Sequence, residues 1–544
     1  MNPTPPNPYA GRWVAKIDGQ VVSQGGTPEQ ARRAAHAARR KEKVTVEFIP
    51  PSSPLVLPPV LERVRAKLPA ERGIYLVGGA LRDLLLGRQP TDFDFVLASP
   101  AIPVARKLAN QLDADFYVLD EERDTARVLL TEDGQQTVLD FAALRGEDLA
   151  ADLAARDFTI NAIAMDMQQP GALLDPLAGG QDLSARRLKA CGPNAFNDDP
   201  LRLLRAIRMA ATFGLKIEDG TRTAMRTAVP ALETVSAERV RDELIRLLSA
   251  PKPANSLRAL QILGALAPVL PELLPLKGFE QNRTHRYDVW EHTLKVMQGL
   301  GAVTDVLGEE YSEEGAGNLA DGLVVLRLGR YRQHISAYLA REAVPGRPLR
   351  ALLTLAALYH DTGKSETRQK NEQGDWSFSG HAARSAELLA SRADTLHFSR
   401  AEIDFLRTVV TQHGRPTELV RAGGLPDRRA IYHFFQATGE HGIAVCLHSL
   451  ADLMGKYGPE LPRDELEARL DVIRTLLEAY FERYKEVVAP PILLDGGDLM
   501  QALKLNPGPK VGQLLAAIRE AQAAGEVGTR EEALALAREL KGQI

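Results

Sequence analysis

The stretch that most narrows what this chain can fold into is Tyr75-Leu76-Val77 running into Gly78-Gly79, followed by Asp92-Phe93-Asp94-Phe95. A short apolar run that ends on two glycines before a helical pattern reads as strand, turn, helix. Glycines at such a turn let backbone N–H groups approach phosphate oxygens, and a helix start favours negative charge. Arg82, one turn into the helix, can add a fixed cation beside a triphosphate. The alternation of acid and ring reads as a second strand, with Asp92 and Asp94 on one face and Phe93 and Phe95 in the core. Two such carboxylates repel unless a divalent ion lies between them, and magnesium, which prefers oxygen ligands and phosphate, suits the place. In-line displacement at phosphorus with two ions calls for a third carboxylate. Asp140, in Val138-Leu139-Asp140-Phe141, is the candidate because it too falls on a predicted strand.

At 544 residues the chain is too long for one core, and roughly 100–200 residues per domain implies three to five. A net charge of −4 confines any nucleic-acid surface to a local patch. Cys191 and Cys446, the two cysteines, fit buried thiols in a reducing compartment. No apolar run approaches the ~20 residues of a membrane span, and the opening residues lack a signal-peptide pattern, so a cytoplasmic location is expected. Residues 11–50 read as ββαβ: strands flank Asp18-Gly19, Thr27-Pro28 opens a helix, and Val44–Ile49 alternates. That helix carries a basic face of Arg32, Arg33, Arg39, Arg40 and Lys41, read as solvated or as an RNA contact. Pro50–Pro54 reads as a linker, and 308–322 as a loop within a helical region. The expected divisions are 1–52, 53–185, 186–284, 285–488 and 489–544.

Gly-Gly-x-x-Arg-Asp at 78–83 followed by Asp-x-Asp at 92–94 resembles the head signature of the class II tRNA nucleotidyltransferase and bacterial poly(A) polymerase family, part of the DNA polymerase beta superfamily. The resemblance runs from about residue 55 to the end. It implies a multidomain α+β protein with a polymerase beta-type head of mixed sheet and helices. A mostly α-helical neck, body, HD domain and tail follow, and a small ββαβ extension precedes. Arg156-Asp157-Phe158-Thr159-Ile160-Asn161 resembles the motif that binds ribose and phosphates, implying Arg156, Asp157 and Asn161 as nucleotide contacts, with Ala155 where the family usually has a second arginine. Asp175 with Gly179-Gly180 resembles the hinge motif. Asp198-Asp199-Pro200-Leu201-Arg202-Leu203-Leu204-Arg205 resembles the protein template, with Asp198 where glutamate is usual. Asp199 and Arg202 are then the pair that reads the base edge, and Arg205 a further nucleotide contact. A carboxylate accepting from an exocyclic amino group and an arginine donating to ring acceptors favour C and A over G and U.

His292, His360-Asp361, His381, His413 and Asp452 occur in the order of the HD metal-dependent phosphohydrolase family. His292, His360, Asp361 and Asp452 match its minimal ligands, and His381 and His413 its two-metal members. His285 is the weakest of the histidines in this run. Such a donor set suits Mn2+, Ni2+ or another divalent transition metal, or Mg2+. The tail, with Pro507-Gly508-Pro509-Lys510-Val511-Gly512, resembles that of HD-containing bacterial tRNA nucleotidyltransferases and implies a Gly-x-x-Gly-like turn that can hold an RNA phosphate.

The expected activity is addition of C and/or A from CTP and ATP to a tRNA 3′ end by two-metal phosphoryl transfer, with a phosphohydrolase activity in the HD domain. The rivals are a poly(A) polymerase, an HD phosphohydrolase with a regulatory nucleotide-binding head, and a non-enzymatic RNA-binding scaffold, which would not need two separate sets of metal ligands. The segment between Asp94 and Arg156 differs from the longer loop of full CCA-adding members, which keeps CC or A addition alone among the expectations.

Overall fold

The computed structural model describes residues 9, 12–25, 27–38, 43–49, 55, 57–69, 73–132, 134–170, 173–281, 286–308, 318–372 and 375–542. Arg39, Arg40, Lys41, the Pro50–Pro54 linker and His285 lie outside them. The chain divides into two compact units, Met1–Val235 and Ser236–Ile544.

In the first unit, β1 (Arg12–Ile17), β2 (Gln20–Gly25), α1 (Pro28–Ala38) and β3 (Thr45–Ile49) form the expected ββαβ, with sheet order β2-β1-β3. Asp18 and Gly19 take φ of 50° and 75°, the left-handed pair that a two-residue hairpin requires. The Gln30 N–H donates to Thr27 Oγ1 at 3.2 Å, capping the helix that Pro28 opens. Ala31 and Ala35 of α1 pack on Ala15, Ile17 and Val22.

The head follows: α2 (Pro59–Lys67), β4 (Ile74–Val77), α3 (Gly79–Leu85), β5 (Asp92–Leu97), α4 (Ala101–Leu112), β6 (Asp115–Asp120), β7 (Thr125–Glu132), β8 (Gln135–Ala143), α5 (Leu149–Ala154), β9 (Ala164–Asp166) and β10 (Leu173–Leu174). Seven strands make one mixed sheet in the order β10-β9-β4-β5-β8-β7-β6. Only β5 and β8 pair in parallel, and their register sets Asp94 beside Asp140. On the opposite face Phe95 stacks on Phe141 with centroids 4.8 Å apart, and Phe93 is fully buried. The two-residue period thus separates core from chemistry as the sequence predicts. Beyond the head come α6 (Gly179–Ser184), α7 (Ala195–Asp198) and α8 (Arg202–Phe213). α8 buries Leu203, Leu204 and Ile207 and ends at Gly214, whose φ of 62° closes the helix.

The second unit is mainly helical. Helices Val289–Val306, Leu349–Tyr359, His381–Thr395, Arg400–Gln412 and Gly442–Tyr457 carry the histidines, or end at them. A side chain at Gly455 would place its Cβ 2.7 Å from Val296 Cγ2 and 2.8 Å from the Val296 nitrogen. Glycine therefore lets Gly442–Tyr457 lie against Val289–Val306, the two helices that bear Asp452 and His292. Two expectations are corrected. Of the stretch 308–322 read as a loop, 309–317 lie outside the described residues and 319–322 are helical, because Asn318 caps the helix Leu319–Leu328 by accepting the Asp321 N–H at 3.0 Å. Gly512 lies inside the helix Pro509–Ala524, so only Gly508 remains in the turn; Pro509 starts the helix, as proline at the first position does. The tail helices close a core of Leu499, Leu514, Ile518 and Ala537. Among the described residues no helix is long and apolar enough to cross a membrane.

Gly455→Val must push the two site-bearing helices apart. A destabilisation of about 1–3 kcal/mol is expected, as for overpacked cores, read from urea unfolding; an unchanged midpoint would contradict the close approach.

Candidate functional site

The head site is built around the end of β4. Gly78 has φ of 77°, and a Cβ there would sit 3.0 Å from Asp94 Oδ2 and 3.3 Å from Arg156 Nη1. Glycine is thus required both for the turn and for the approach of a carboxylate to the backbone. Asp92 and Asp94 occupy accessible positions of β5, yet the Asp94 carboxyl lies in a recess. Its pKa is raised above the ordinary value, chiefly because burial strips water from it. Arg156 counters the rise, Asp140 and Asp92 add to it, and Arg205 also counters it. Asp140 is not turned towards the other two acids. Arg127, its register partner on β7, donates to both its oxygens at 2.8 and 2.9 Å, and among the described residues the three acids do not close into a ligand cluster. The cation that a carboxylate row demands is, in this state, a guanidinium.

The motif residues form a chain of hydrogen bonds beside that recess. Arg82 donates from Nη1 to Asn161 Oδ1 at 2.7 Å, and Asn161 donates to Asp157 Oδ1 at 3.0 Å. Asp157 pairs through its other oxygen with Arg205 at 2.9 Å. Arg82 is also paired with Asp83 at 2.9 Å and stacks over Phe213 at 4.1 Å; burial lowers its pKa, against the pull of Asp83. Arg156 pairs with the buried Asp152 at 3.0 Å. Arg202 donates to the carbonyl oxygens of Ala155, Arg156 and Ala195 at 2.8, 3.3 and 3.1 Å, so it anchors the segment that carries Arg156. Asp199 Oδ1 accepts the Leu201 N–H at 3.2 Å. Gly179 and Gly180 donate to Asp175 at 2.7 and 2.8 Å, which makes the hinge motif a closed turn.

In the second unit all six predicted HD residues converge as two groups of three: His292, His360 and Asp452, and Asp361, His381 and His413, with the ligand atoms of each group within 4.8 Å of one another. His292 Nε2 lies 3.0 Å from Asp452 Oδ1, and His360 Nε2 lies 3.1 Å from Asp361 Oδ2. The Nδ1 atoms of His360, His381 and His413 face the carbonyls of Ala357, Phe378 and Val410 at 2.9, 2.9 and 2.7 Å. Those bonds place the ring's one N–H at Nδ1 and leave the Nε2 lone pair for a metal. Burial lowers the His413 pKa to about 4, with His360 adding to the effect. His360 moves the other way: burial opposes protonation, but Asp361 and Asp452 prevail and raise its pKa. Asp361 is held well below the carboxylate range despite burial, by His360 and Lys364, whose Nζ is 2.6 Å away.

Sequence reading passed over His448. It lies one turn before Asp452, is fully buried, and meets His360 and His413 edge-on, with ring centroids 5.0 and 5.5 Å away. Its signal was His-x-x-x-Asp on a helix, which puts both side chains on one face. Above the centre opens a cleft of about 1170 Å³ that includes Lys364, Arg415, Arg421, Lys456 and Arg469. Cys191 and Cys446 are both thiols.

A carboxylate-lined recess beside a glycine turn, with an HD centre elsewhere in the chain, defines a nucleotidyltransferase joined to an HD domain. Family comparison agrees. Residues 74–189 match the poly A polymerase head domain, 214–276 the probable RNA- and SrmB-binding site of polymerase A, 289–431 the HD domain, and 488–537 a putative tRNA nucleotidyltransferase domain 2. Residues 7–52 match a family of unknown function. The chain is 34% identical to the CC-adding tRNA nucleotidyltransferase of Thermus thermophilus over 84% of its own length and 92% of that protein. It is 33% identical to the A-adding tRNA nucleotidyltransferase of Deinococcus radiodurans, over 86% and 95%. In fold it is similar to a CCA-adding enzyme solved with ATP, at TM-score 0.58 and 21% identity, covering 89% of this chain and 96% of that one. The chain belongs to the tRNA nucleotidyltransferase family.

In metal-free protein with 15N-labelled histidine, His413 is expected to stay neutral until the pH falls to about 4, while His360 protonates above its usual 6.5. Histidine 15N shifts followed by pH check this order, and the reverse order would contradict the site's electrostatics.

Proposed function

We propose that the chain adds C and/or A to the 3′ end of tRNA without a nucleic-acid template, with Asp92, Asp94 and Asp140 as the catalytic acids. The observation that carries this is the parallel register of β5 and β8, which sets Asp94 beside Asp140 at the Gly78 turn. Nucleotidyltransferase and HD domains generally use divalent metals. A row of carboxylates, one of them short of water, is an all-oxygen donor set that fits Mg2+. Bound divalent ions would activate the 3′-hydroxyl and stabilise the departing pyrophosphate. The chain's own residues do the rest. Asp92, Asp94 and Asp140 would hold those ions, and Arg127 donates to Asp140 beside them. Gly78 and Gly79 let the triphosphate lie against the backbone, with Arg82, Arg156 and Arg205 balancing its charge. Asp157 and Asn161 accept from and donate to the ribose hydroxyls. Asp199 and Arg202 select the base, Arg202 through the main chain it anchors as well as its own donors.

Partial addition, CC or A alone, is the reading we favour within that activity. β6 and β7 are joined by a tight turn, and Asp124 ties it to the start of α4 by accepting the Ala101 and Ile102 N–H groups at 2.5 and 3.0 Å. A turn held in this way is unlike the long mobile loop expected of a full CCA-adding enzyme. The two relatives above, one CC-adding and one A-adding, point the same way.

For the HD centre we propose hydrolysis of a phosphoester, including a cyclic phosphate at an RNA end. The mixed imidazole and carboxylate donors fit Mn2+ or Ni2+, and Mg2+ less well. A bound metal would supply an activated water. Lys364, Arg415, Arg421 and Lys456 give the cleft the positive charge that a phosphoester needs.

Asp92→Ala and Asp94→Ala are each expected to abolish labelled CTP and ATP incorporation while the circular dichroism spectrum stays unchanged; persistent incorporation in either removes the two-metal reading. Given tRNA lacking CCA and tRNA ending in CC, each with CTP, ATP or both together, the wild type should extend one substrate only. Completion of CCA on the first would contradict partial addition. Asp361→Ala should lose manganese-dependent phosphoester hydrolysis and keep nucleotide addition, and loss of both together would overturn the division of labour.

A further inference from the structure

His448 is fully buried, and neither of its ring nitrogens has a hydrogen-bond partner among the described residues. A buried polar group left unpaired destabilises the fold, so a position like this calls for a partner from outside the chain. The ring stands on the buried side of the two ligand groups, not in the cleft: His292, Asp361, His381, His413 and Asp452 line the cleft, and His448 does not.

The two donor groups close without His448, yet its ring is spaced from their members as those rings are from one another. Within the groups, the His292 and His360 rings are 5.4 Å apart and those of His381 and His413 are 5.5 Å apart. His448 repeats these separations against one member of each group, 5.0 Å to His360 and 5.5 Å to His413. Neighbouring imidazoles at that separation and tilt can share an ion. The helix Gly442–Tyr457 presents His448 and Asp452 one turn apart on the same face, so the helix that supplies one proposed ligand supplies the other.

We infer that His448 is a further metal ligand of the HD centre, donating from the buried side between the two groups. It adds a fifth imidazole to His292, His360, His381 and His413, beside the two carboxylates. A donor set so rich in nitrogen shifts preference from Mg2+ towards Mn2+, Co2+, Ni2+ and Zn2+. This rests on the HD residues being a metal centre at all.

The test uses the full-length protein with Asp92→Ala and Asp94→Ala in every sample, so that only the HD centre is read, stripped with EDTA and titrated with MnCl2 alone in a calorimeter. His448→Phe and His448→Asn are compared with wild type, and unfolding is measured in EDTA as a control on the fold. Wild type should bind Mn2+, and each folded variant should bind it at least tenfold more weakly, while His448→Phe keeps its midpoint in EDTA. A folded variant that binds within threefold of wild type overturns the inference and leaves the metal centre standing. A wild type that takes up no Mn2+ overturns both. A measurement that needs no variant gives the same decision: in 15N-histidine protein loaded with Zn2+, five of the eleven histidines should show metal-shifted Nε2 resonances, and four would exclude His448.

Discussion

Parallel pairing of two strands forces their side chains into fixed neighbourhoods, and in this head it sets Asp94 directly beside Asp140. Burial raises the Asp94 pKa, and the neighbouring charges of Asp140 and Asp92 raise it further. Something positive must therefore be supplied. Arg127 supplies it from the next strand, and Arg156 and Arg205 supply more across the Gly78 turn. The surrounding elements serve this arrangement. Stacked Phe95 and Phe141 lock the strands on the far face, and the chain from Arg82 through Asn161 and Asp157 to Arg205 ties α3 to α8 beside the site.

The second unit meets the same problem with different means. The two aspartates of its site, Asp361 and Asp452, are balanced by imidazoles and, for Asp361, by Lys364. Helices bring these donors together from widely separated segments, and Gly455 keeps two of those helices close enough for His292 to reach Asp452. Backbone carbonyls then orient the rings. The head keeps its carboxylates at an accessible strand end, where a large RNA and a nucleotide can meet them, whereas the HD centre floors a cleft.

Much of this was legible in the sequence because it depends on local period. The alternation at 92–95 gave the face of each side chain, Asp18-Gly19 gave the hairpin, and the order of histidines and aspartates gave the HD centre. Features that depend on register or on tertiary approach were not legible. Arg127 becomes the partner of Asp140 only through the pairing of β7 with β8, which no local pattern announces. Arg202 spends donors on carbonyls of a segment some forty residues away, although its helical spacing from Asp199 pointed to a shared pocket. His448 belonged to no motif, and its importance rests on burial and ring contacts. The tail turn was misplaced because Pro509 begins a helix where a glycine-rich loop was read.

The central claim is that Asp92, Asp94 and Asp140 hold divalent cations together. It is tested most directly by a crystal structure of the full-length protein with MnCl2 and a non-hydrolysable CTP analogue, using the anomalous signal of manganese. The account predicts manganese between Asp92 and Asp94, with Asp140 turned away from Arg127 towards it. Manganese confined to the HD centre, with the Arg127–Asp140 pair intact beside a bound nucleotide, would contradict it.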